Sequence, residues 1–136
     1  MPFPENLIAA LGQLNPTCFV LAFAGILLDL LTGFVIKGVI PHKISSGVMR
    51  QGLVHKAWEI AIMISAALVD VTVNVGMDIG LQLVSNATCG FILVMELASV
   101  CENALEGNPE LATAPIVRYV SQAKKDAQEP DEGEGA

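Results

Sequence analysis

The chain has 136 residues, of which 53% are hydrophobic and 15% are charged, and its formal net charge is -7. Soluble domains carry about 25% charged residues, so this composition indicates a single integral membrane domain. Seven Lys and Arg residues are too few for a nucleic-acid-binding surface. The sequence also lacks a phosphate-binding GxxxxGK loop, an HExxH motif and a plausible Ser-His-Asp set, so we expect neither an enzyme nor a cofactor or metal site.

The fold class predicted from the apolar runs is all-α, with three transmembrane helices and short amphipathic helices at either end. Residues 1–16 form the first amphipathic segment, which either lies flat on the membrane or is a loosely ordered lead-in. Its apolar side is predicted to hold Leu7, Ile8, Leu11 and Leu14. Asn15-Pro16 separates it from the first span.

Transmembrane helix 1 is predicted over residues 17–40. Gly25, Asp29, Gly33 and Lys37 recur every four residues and therefore share one face of this helix. The apolar residues of the span contribute about -4 to -7 kcal/mol to insertion, whereas a central Asp costs roughly 2.5 to 3.5 kcal/mol. The helix is therefore expected to insert with its acid in place.

Residues 41–56 are predicted to form a basic cytoplasmic connection, followed by transmembrane helix 2 over 57–77. Trp58, at the start of this helix, is expected to anchor it at the membrane interface. The apolar residues of helix 2 contribute about -2 to -5 kcal/mol, which Asp70 alone roughly cancels. Helix 2 is therefore marginal by itself.

Transmembrane helix 3 is predicted over residues 78–103. Asp78 lies between Gly76 and Gly80, which is typical of a turn, so helices 2 and 3 are expected to form a tight hairpin rather than one long bent helix. The hydrophobic third helix would then carry the marginal second helix into the membrane.

Residues 104–126 are predicted to form a cytoplasmic amphipathic region, and residues 127–136 an acidic disordered tail. The region contains a surface helix with Ile116, Val120 and Ala123 on one side, and Lys124 and Lys125 are candidate membrane-anchoring residues. Basic residues lie between the first two spans and after the third. The positive-inside rule therefore predicts an external N-terminus and a cytoplasmic C-terminus.

Each predicted span carries a polar stripe, and a single molecule would have to cluster Asp29, Asp70 and Glu96 in a dry space. Either these acids are partly protonated and hydrogen-bonded between helices, or the stripes face water in an oligomer that encloses a pore. The three cysteines are interpreted mainly as small packing residues. The candidate packing or pore-lining residues are Gly25, Asp29, Gly33, Glu59, Asp70, Asn74, Asn86 and Glu96.

The sequence LDLLTG at 28–33, followed by Lys37, resembles the toxin-secretion and phage-lysis holin family, and the resemblance extends over most of the chain. The further residues that carry it are Ser46, Gly47, Arg50, Gly52, Leu53, Lys56, Asp70, Glu96, Ser99, Glu102, Asn103 and Gly107. The resemblance implies a homo-oligomer in the bacterial cytoplasmic membrane. It also implies timed lesions that release a cell-wall hydrolase (endolysin) or a toxin, a functional link that does not require direct contact with that partner.

Two other functions fit the same polar stripes. A small ion- or proton-coupled transport subunit would use the intramembrane acids as fixed binding sites. A membrane scaffold would instead recruit a soluble partner through the segment after Pro109.

Overall fold

The computed structural model describes residues 3–39, 46–77, 79–80 and 82–128, and within these ranges the chain is helical and has no strands. The helices are α1 (Phe3–Gly12), α2 (Pro16–Val39), α3 (Ser46–Met77), α4 (Leu83–Gly107), a 3₁₀ turn (Pro109–Thr113) and α5 (Pro115–Gln128). Three segments are long and apolar enough to span a membrane, namely Pro16–Ile36, Arg50–Met77 and Leu83–Gly107. The predicted all-α fold with three transmembrane helices is confirmed.

Two Asn-Pro pairs mark helix boundaries. The Asn15 side chain accepts a hydrogen bond from the Thr17 amide at 3.2 Å at the start of α2. Asn108 accepts one from the Glu110 amide, also at 3.2 Å, where α4 gives way to the 3₁₀ turn. In both pairs the proline takes the first helical position, where its missing N–H leaves no bond unmade.

Helix α3 begins within the segment that the sequence assigned to the basic connection. It starts at Ser46, and its membrane-spanning part starts at Arg50. The segment 46–56 has no proline and is rich in residues that tolerate a helix. The helix formed by the apolar run that follows therefore extends back through this segment. Lys56 consequently lies inside the membrane span. Residues 41–45 of the connection lie outside the described residues.

The three long helices alternate in direction, with α4 packed against both α2 and α3. Helices α2 and α4 are parallel. The earlier residue Cys18 contacts the earlier Asn86, and the later Asp29 contacts the later Asn103. Helix α3 runs antiparallel to α4, since Lys56 contacts Glu96 whereas the later Asp70 contacts the earlier Ser85. The tight turn between them stays a prediction, because residues 78 and 81 lie outside the described residues.

The buried core is small and apolar, while large apolar side chains cover much of the outer surface. The core comprises Ala22, Ile26, Met63, Cys89 and Ile92, with Cys18, Phe19, Leu30 and Ile60 packed against it. Leu27, Leu31 and Val35 of α2 are half or more exposed. Exposed leucine and valine on a helix of this length are suited to lipid rather than water.

The two terminal helices each bury a narrower apolar strip than the sequence indicated. In α1, which contacts α3, Ala10 is buried while Ile8 is exposed. In α5, which contacts α4, Val117 and Val120 are buried and Ile116 is exposed. Apolar residues on two adjacent sides of a short helix leave the buried side undetermined until its neighbour is known. Helix α5 ends at Gln128, and residues 129–136 of the predicted tail lie outside the described residues.

Candidate functional site

The main polar site is an ion cluster centred on Lys56 of α3. Its ammonium donates hydrogen bonds to both carboxylate oxygens of Glu96 on α4. It also lies 3.0 Å from Asp29 Oδ2 on α2 and 3.4 Å from Glu59 Oε2 on α3. One positive charge thus joins all three membrane-spanning helices, and we call Lys56, Asp29, Glu59 and Glu96 the Lys56 cluster.

The cluster is shielded from solvent and holds more acid than base. The side chains of Lys56, Asp29 and Glu96 are 12%, 16% and 2% exposed. One ammonium therefore faces three carboxylates in surroundings of low dielectric constant, where ion pairs are strong but the loss of a partner is costly. Glu59 is held least firmly, because its buried Oε2 makes no hydrogen bond among the described residues.

Glycine on α2 lets the two parallel helices approach each other at the cluster. A Cβ atom on Gly25 would lie 3.2 Å from both Glu96 Cβ and Leu93 Cδ1. A further close approach occurs at the far end of the interface, where a Cβ on Gly107 would lie 2.6 Å from Ile36 Cδ1. Small residues of this kind allow membrane helices to pack backbone against backbone.

Asn103 of α4 extends the polar network along α2. Its side-chain amide donates to Asp29 Oδ1 at 3.1 Å and to Thr32 Oγ1 at 3.1 Å. Asp29 therefore gives one oxygen to Lys56 and the other to Asn103. This division satisfies a carboxylate that would otherwise be unpaired in the membrane.

Asp70 forms a separate polar site at the N-terminus of α4. Its Oδ2 accepts from the Ser85 amide at 2.7 Å and from Ser85 Oγ at 2.6 Å, and its Oδ1 accepts from the Val84 amide at 3.3 Å. Both Asp70 and Ser85 are fully buried. Asp70 thus caps another helix, where amide donors and the helix dipole favour a negative charge.

The expectation that Asp70 clusters with Asp29 and Glu96 is therefore wrong. Asp70 is fourteen residues after Lys56, or about 21 Å further along α3. It therefore contacts α4 near the start of that helix, at the end of the α3–α4 interface away from Lys56. Asp29 and Glu96 do belong to one cluster, where each is paired with Lys56. The repulsion expected between like charges is relieved by that counter-ion.

A cavity of about 290 Å³ opens beside the Lys56 cluster. Its polar lining includes Asp29, Lys56 and Asn103, and Gly52 and Leu53 of α3 lie on its other side. The remaining lining residues are Leu30, Gly33, Phe34, Ser99 and Glu102. Two charged side chains of the cluster, Asp29 and Lys56, therefore line a partly open cavity.

Comparison with known families gives one match. A family model described as the bacteriophage holin family matches residues 6–112, which include the Lys56 cluster and the Asp70 cap. The chain belongs to the bacteriophage holin family. Comparisons with curated proteins and with solved structures give no match. Holins form pores in membranes and are not a class of enzymes, and the resemblance inferred from the sequence is confirmed.

In this holin the remaining candidate residues are distributed over several places. Asn74 is buried, Glu102 is exposed, and Ser99 is half-buried at the cavity. Asn86 is half-buried, and its side-chain Oδ1 makes no hydrogen bond among the described residues. Arg50, Trp58 and Lys125 are exposed, whereas the side chains of Lys37 and Lys124 lie outside the description. Their roles as family-motif or anchoring residues stay predictions.

The sequence does not predict the polar contacts of three side chains, Lys56, Thr32 and Ser85. Lys56 is among the residues that carry the family resemblance and falls in the predicted connection, although its spacing of three residues from Glu59 is a helical ion-pair signal. Thr32 enters only as part of LDLLTG and Ser85 not at all, since a hydroxyl within an apolar run gives no sign of its partner. All three become evident only when the register between helices is known.

Proposed function

We propose that the chain is a holin that assembles laterally in the bacterial cytoplasmic membrane and opens lesions at a set time. A cell-wall hydrolase or an exported toxin leaves through them, and host lysis follows. The observation that carries the proposal is the Lys56 cluster, which hides the charges of three membrane-spanning helices inside one molecule. Membership of the bacteriophage holin family supports the same conclusion.

The structure corresponds to the closed, accumulating form in this proposal. Asp29 and Glu96 face Lys56, while leucine, phenylalanine and valine cover the outside of α2. A molecule with such a surface accumulates in lipid without admitting water. Its ion pairs and hydrogen bonds hold these charges inside the helix bundle, away from the lipid.

Opening exchanges these ion pairs for water. Burying an ion pair requires a large desolvation cost that the attraction only partly offsets, so the same groups are well accommodated in a hydrated lesion. The excess acid strengthens this tendency, because one ammonium cannot neutralise three carboxylates. Each helix then turns its polar stripe toward the lesion, and neighbouring copies of the chain supply the rest of its wall.

The cavity beside Asp29 and Lys56 is the place where water enters. It already touches both charges, and Gly52 on its α3 side offers no side chain to close it. Membrane depolarisation is a suitable trigger, since moving one charge through 100 mV changes the free energy by about 2.3 kcal/mol. The Lys56 cluster holds several such charges within the span.

The proposed orientation has the N-terminus outside and the C-terminus in the cytoplasm. Three helices of alternating direction carry the chain across the membrane an odd number of times. Apart from the buried Lys56, the Lys and Arg residues fall at one end of this arrangement, around the junction of α2 with α3 and after α4. The positive-inside rule assigns that end to the cytoplasm.

The test is co-expression in a bacterium with a cytoplasmic cell-wall hydrolase that has no export signal of its own. We expect abrupt lysis at a reproducible time only when both proteins are present. Ion flux without release of the hydrolase would instead identify a transport subunit. Growth without either effect, at verified membrane abundance, would identify a scaffold and overturn the proposal.

A further inference from the structure

Two cysteine thiols from different membrane helices meet near one end of the bundle. Cys18 of α2 packs against the buried apolar core that contains Cys89 of α4. The Cys18 thiol also donates to the backbone oxygen of Asn86, one helical turn before Cys89, at 3.7 Å. Both thiols are free in the structure, and neither takes part in the Lys56 cluster.

The position of this pair makes it accessible to small reagents from the membrane surface. Cys18 lies two residues after the start of α2, and Cys89 six residues after the start of α4. At 1.5 Å per residue, both thiols are within about 10 Å of their helix ends. Cys89 is fully buried, but Cys18 is only half-buried and provides the point of attack.

We propose that Cys18 and Cys89 form a redox-controlled disulfide that ties α2 to α4. The tie holds the molecule in its closed form, and this second part rests on the proposed holin function. Helices α2 and α4 carry Asp29 and Glu96, whose separation exposes the Lys56 cluster to water. A covalent bond between these helices therefore opposes opening directly.

The oxidant is a small-molecule disulfide of the glutathione type. The Cys18 thiolate attacks one sulfur of that molecule, which forms a mixed disulfide and releases a thiolate. The Cys89 thiolate then attacks the Cys18 sulfur, closes the bond between the two cysteines and releases the second thiolate. The two protons lost by the cysteines pass to the released thiolates, so two protein thiols are oxidised and one disulfide is reduced.

The pairing is tested on membranes that contain the full chain, treated with oxidised glutathione. After denaturation, reactive thiols are counted by the gel shift that maleimide-linked polyethylene glycol produces. The chain has three free cysteines. We expect treatment to remove two of them and leave Cys101. Cys101→Ser should lose all its reactive thiols, whereas Cys18→Ser should keep both of those that remain.

Retention of all three thiols in the treated chain would overturn the pairing, as would a reducible dimer on a non-reducing gel. The effect on opening is tested by adding the oxidant to cells that co-express the hydrolase, before the onset of lysis. We expect lysis to be lost until dithiothreitol is added, while Cys18→Ser lyses on schedule throughout.

The outcomes separate this inference from the proposed function. Unchanged lysis timing in cells whose chain is shown to be disulfide-bonded would overturn the closing role of the bond. Failure of the untreated chain to support lysis would count against the holin function and leave the thiol count valid. Equal loss of lysis in Cys18→Ser would show that the oxidant acts elsewhere and would also overturn the closing role.

Discussion

Lys56 is the residue on which the closed form depends most. Its ammonium is the positive charge that holds Asp29, Glu59 and Glu96 together across three helices. Removing one partner of a buried ion pair is far more damaging than replacing the whole pair, because the remaining charge keeps its desolvation cost. Loss of this one amine would leave three acids facing one another.

Lys56→Met is therefore expected to destabilise the closed form by about 3–5 kcal/mol, the range for breaking a buried ion pair. Lysis should begin earlier, and thermal unfolding in detergent should occur at lower temperature. Arg50→Met removes a positive charge from an exposed position on the same helix and is the matched control. Equal timing and unfolding temperature in the two variants would contradict the role of Lys56.

Asp29→Asn is expected to act in the opposite direction and delay lysis. The substitution removes one of three carboxylates from a cluster with a single ammonium, so less charge remains to be hydrated on opening. Insertion should be unimpaired, because a central Asp costs roughly 2.5–3.5 kcal/mol on the translocon scale. Lysis timing at matched membrane abundance checks this expectation, and unchanged timing would remove Asp29 from the mechanism.

At the scale of the helices, the α2–α4 interface depends on close approach at Gly25. Gly25→Ala places a methyl group 3.2 Å from Glu96 Cβ and should destabilise the fold by about 1–3 kcal/mol through overpacking. Gly90→Ala on α4 meets no atom within 4 Å and serves as the control. It should be neutral or slightly stabilising, since Ala is the better helix former. Unfolding in detergent compares the two, and equal destabilisation would show that the contact at Gly25 is unimportant.

The Asp70 cap couples α3 to α4 at the other part of their interface. Asp70→Ala should cost about 0.5–2 kcal/mol, the range for replacing a helix cap by alanine, and should alter lysis timing without preventing insertion. Hydrogen exchange of the Val84 and Ser85 amides should accelerate, because Asp70 accepts from both. Thr72→Ala alters an exposed side chain two residues away and should leave these amides protected. Equal exchange in all three proteins would rule out the cap.

For the whole molecule, the alternating helices and the distribution of basic residues predict ends on opposite faces of the membrane. In spheroplasts, external protease should remove an N-terminal epitope and leave a C-terminal epitope intact until the cells are permeabilised. The same treatment of permeabilised cells controls for the intrinsic sensitivity of the C-terminal epitope. Simultaneous protection or simultaneous loss of both epitopes in intact spheroplasts would contradict three crossings.

The sequence predicts features that depend on neighbouring residues, such as the membrane spans, but not contacts between residues far apart in the chain. A bilayer demands about 20 apolar residues per helix, so the three spans were evident from composition alone. The sequence does not locate the start of α3, because the polar and basic residues before Ala57 are equally typical of an aqueous connection. Lys56 and its partner Glu96 are forty residues apart, and only the packed helices bring the two together.

The same difference between local and long-range information decides which polar residues the sequence could group into one site. Periodicity places Asp29 and Glu96 on the polar stripes of their helices, because helical spacing is a local property. Periodicity could not show that Asp70 lies apart from Asp29 and Glu96, since their separation depends on the register between α3 and α4. Sequence thus identifies which side chains are unusual in lipid, and the register between helices decides which of them meet.

The order of these ionic groups along the chain has a consequence for biosynthesis. Asp29 leaves the ribosome first, Lys56 with Glu59 follows on the next helix, and Glu96 arrives last. Each nascent segment therefore brings a partner for a charge already delivered to the translocon. Asp29 can pair with Lys56 as soon as α3 is inserted, and Lys56 can pair with Glu96 once α4 follows. The ion pairs can therefore form in the order in which the helices are translated.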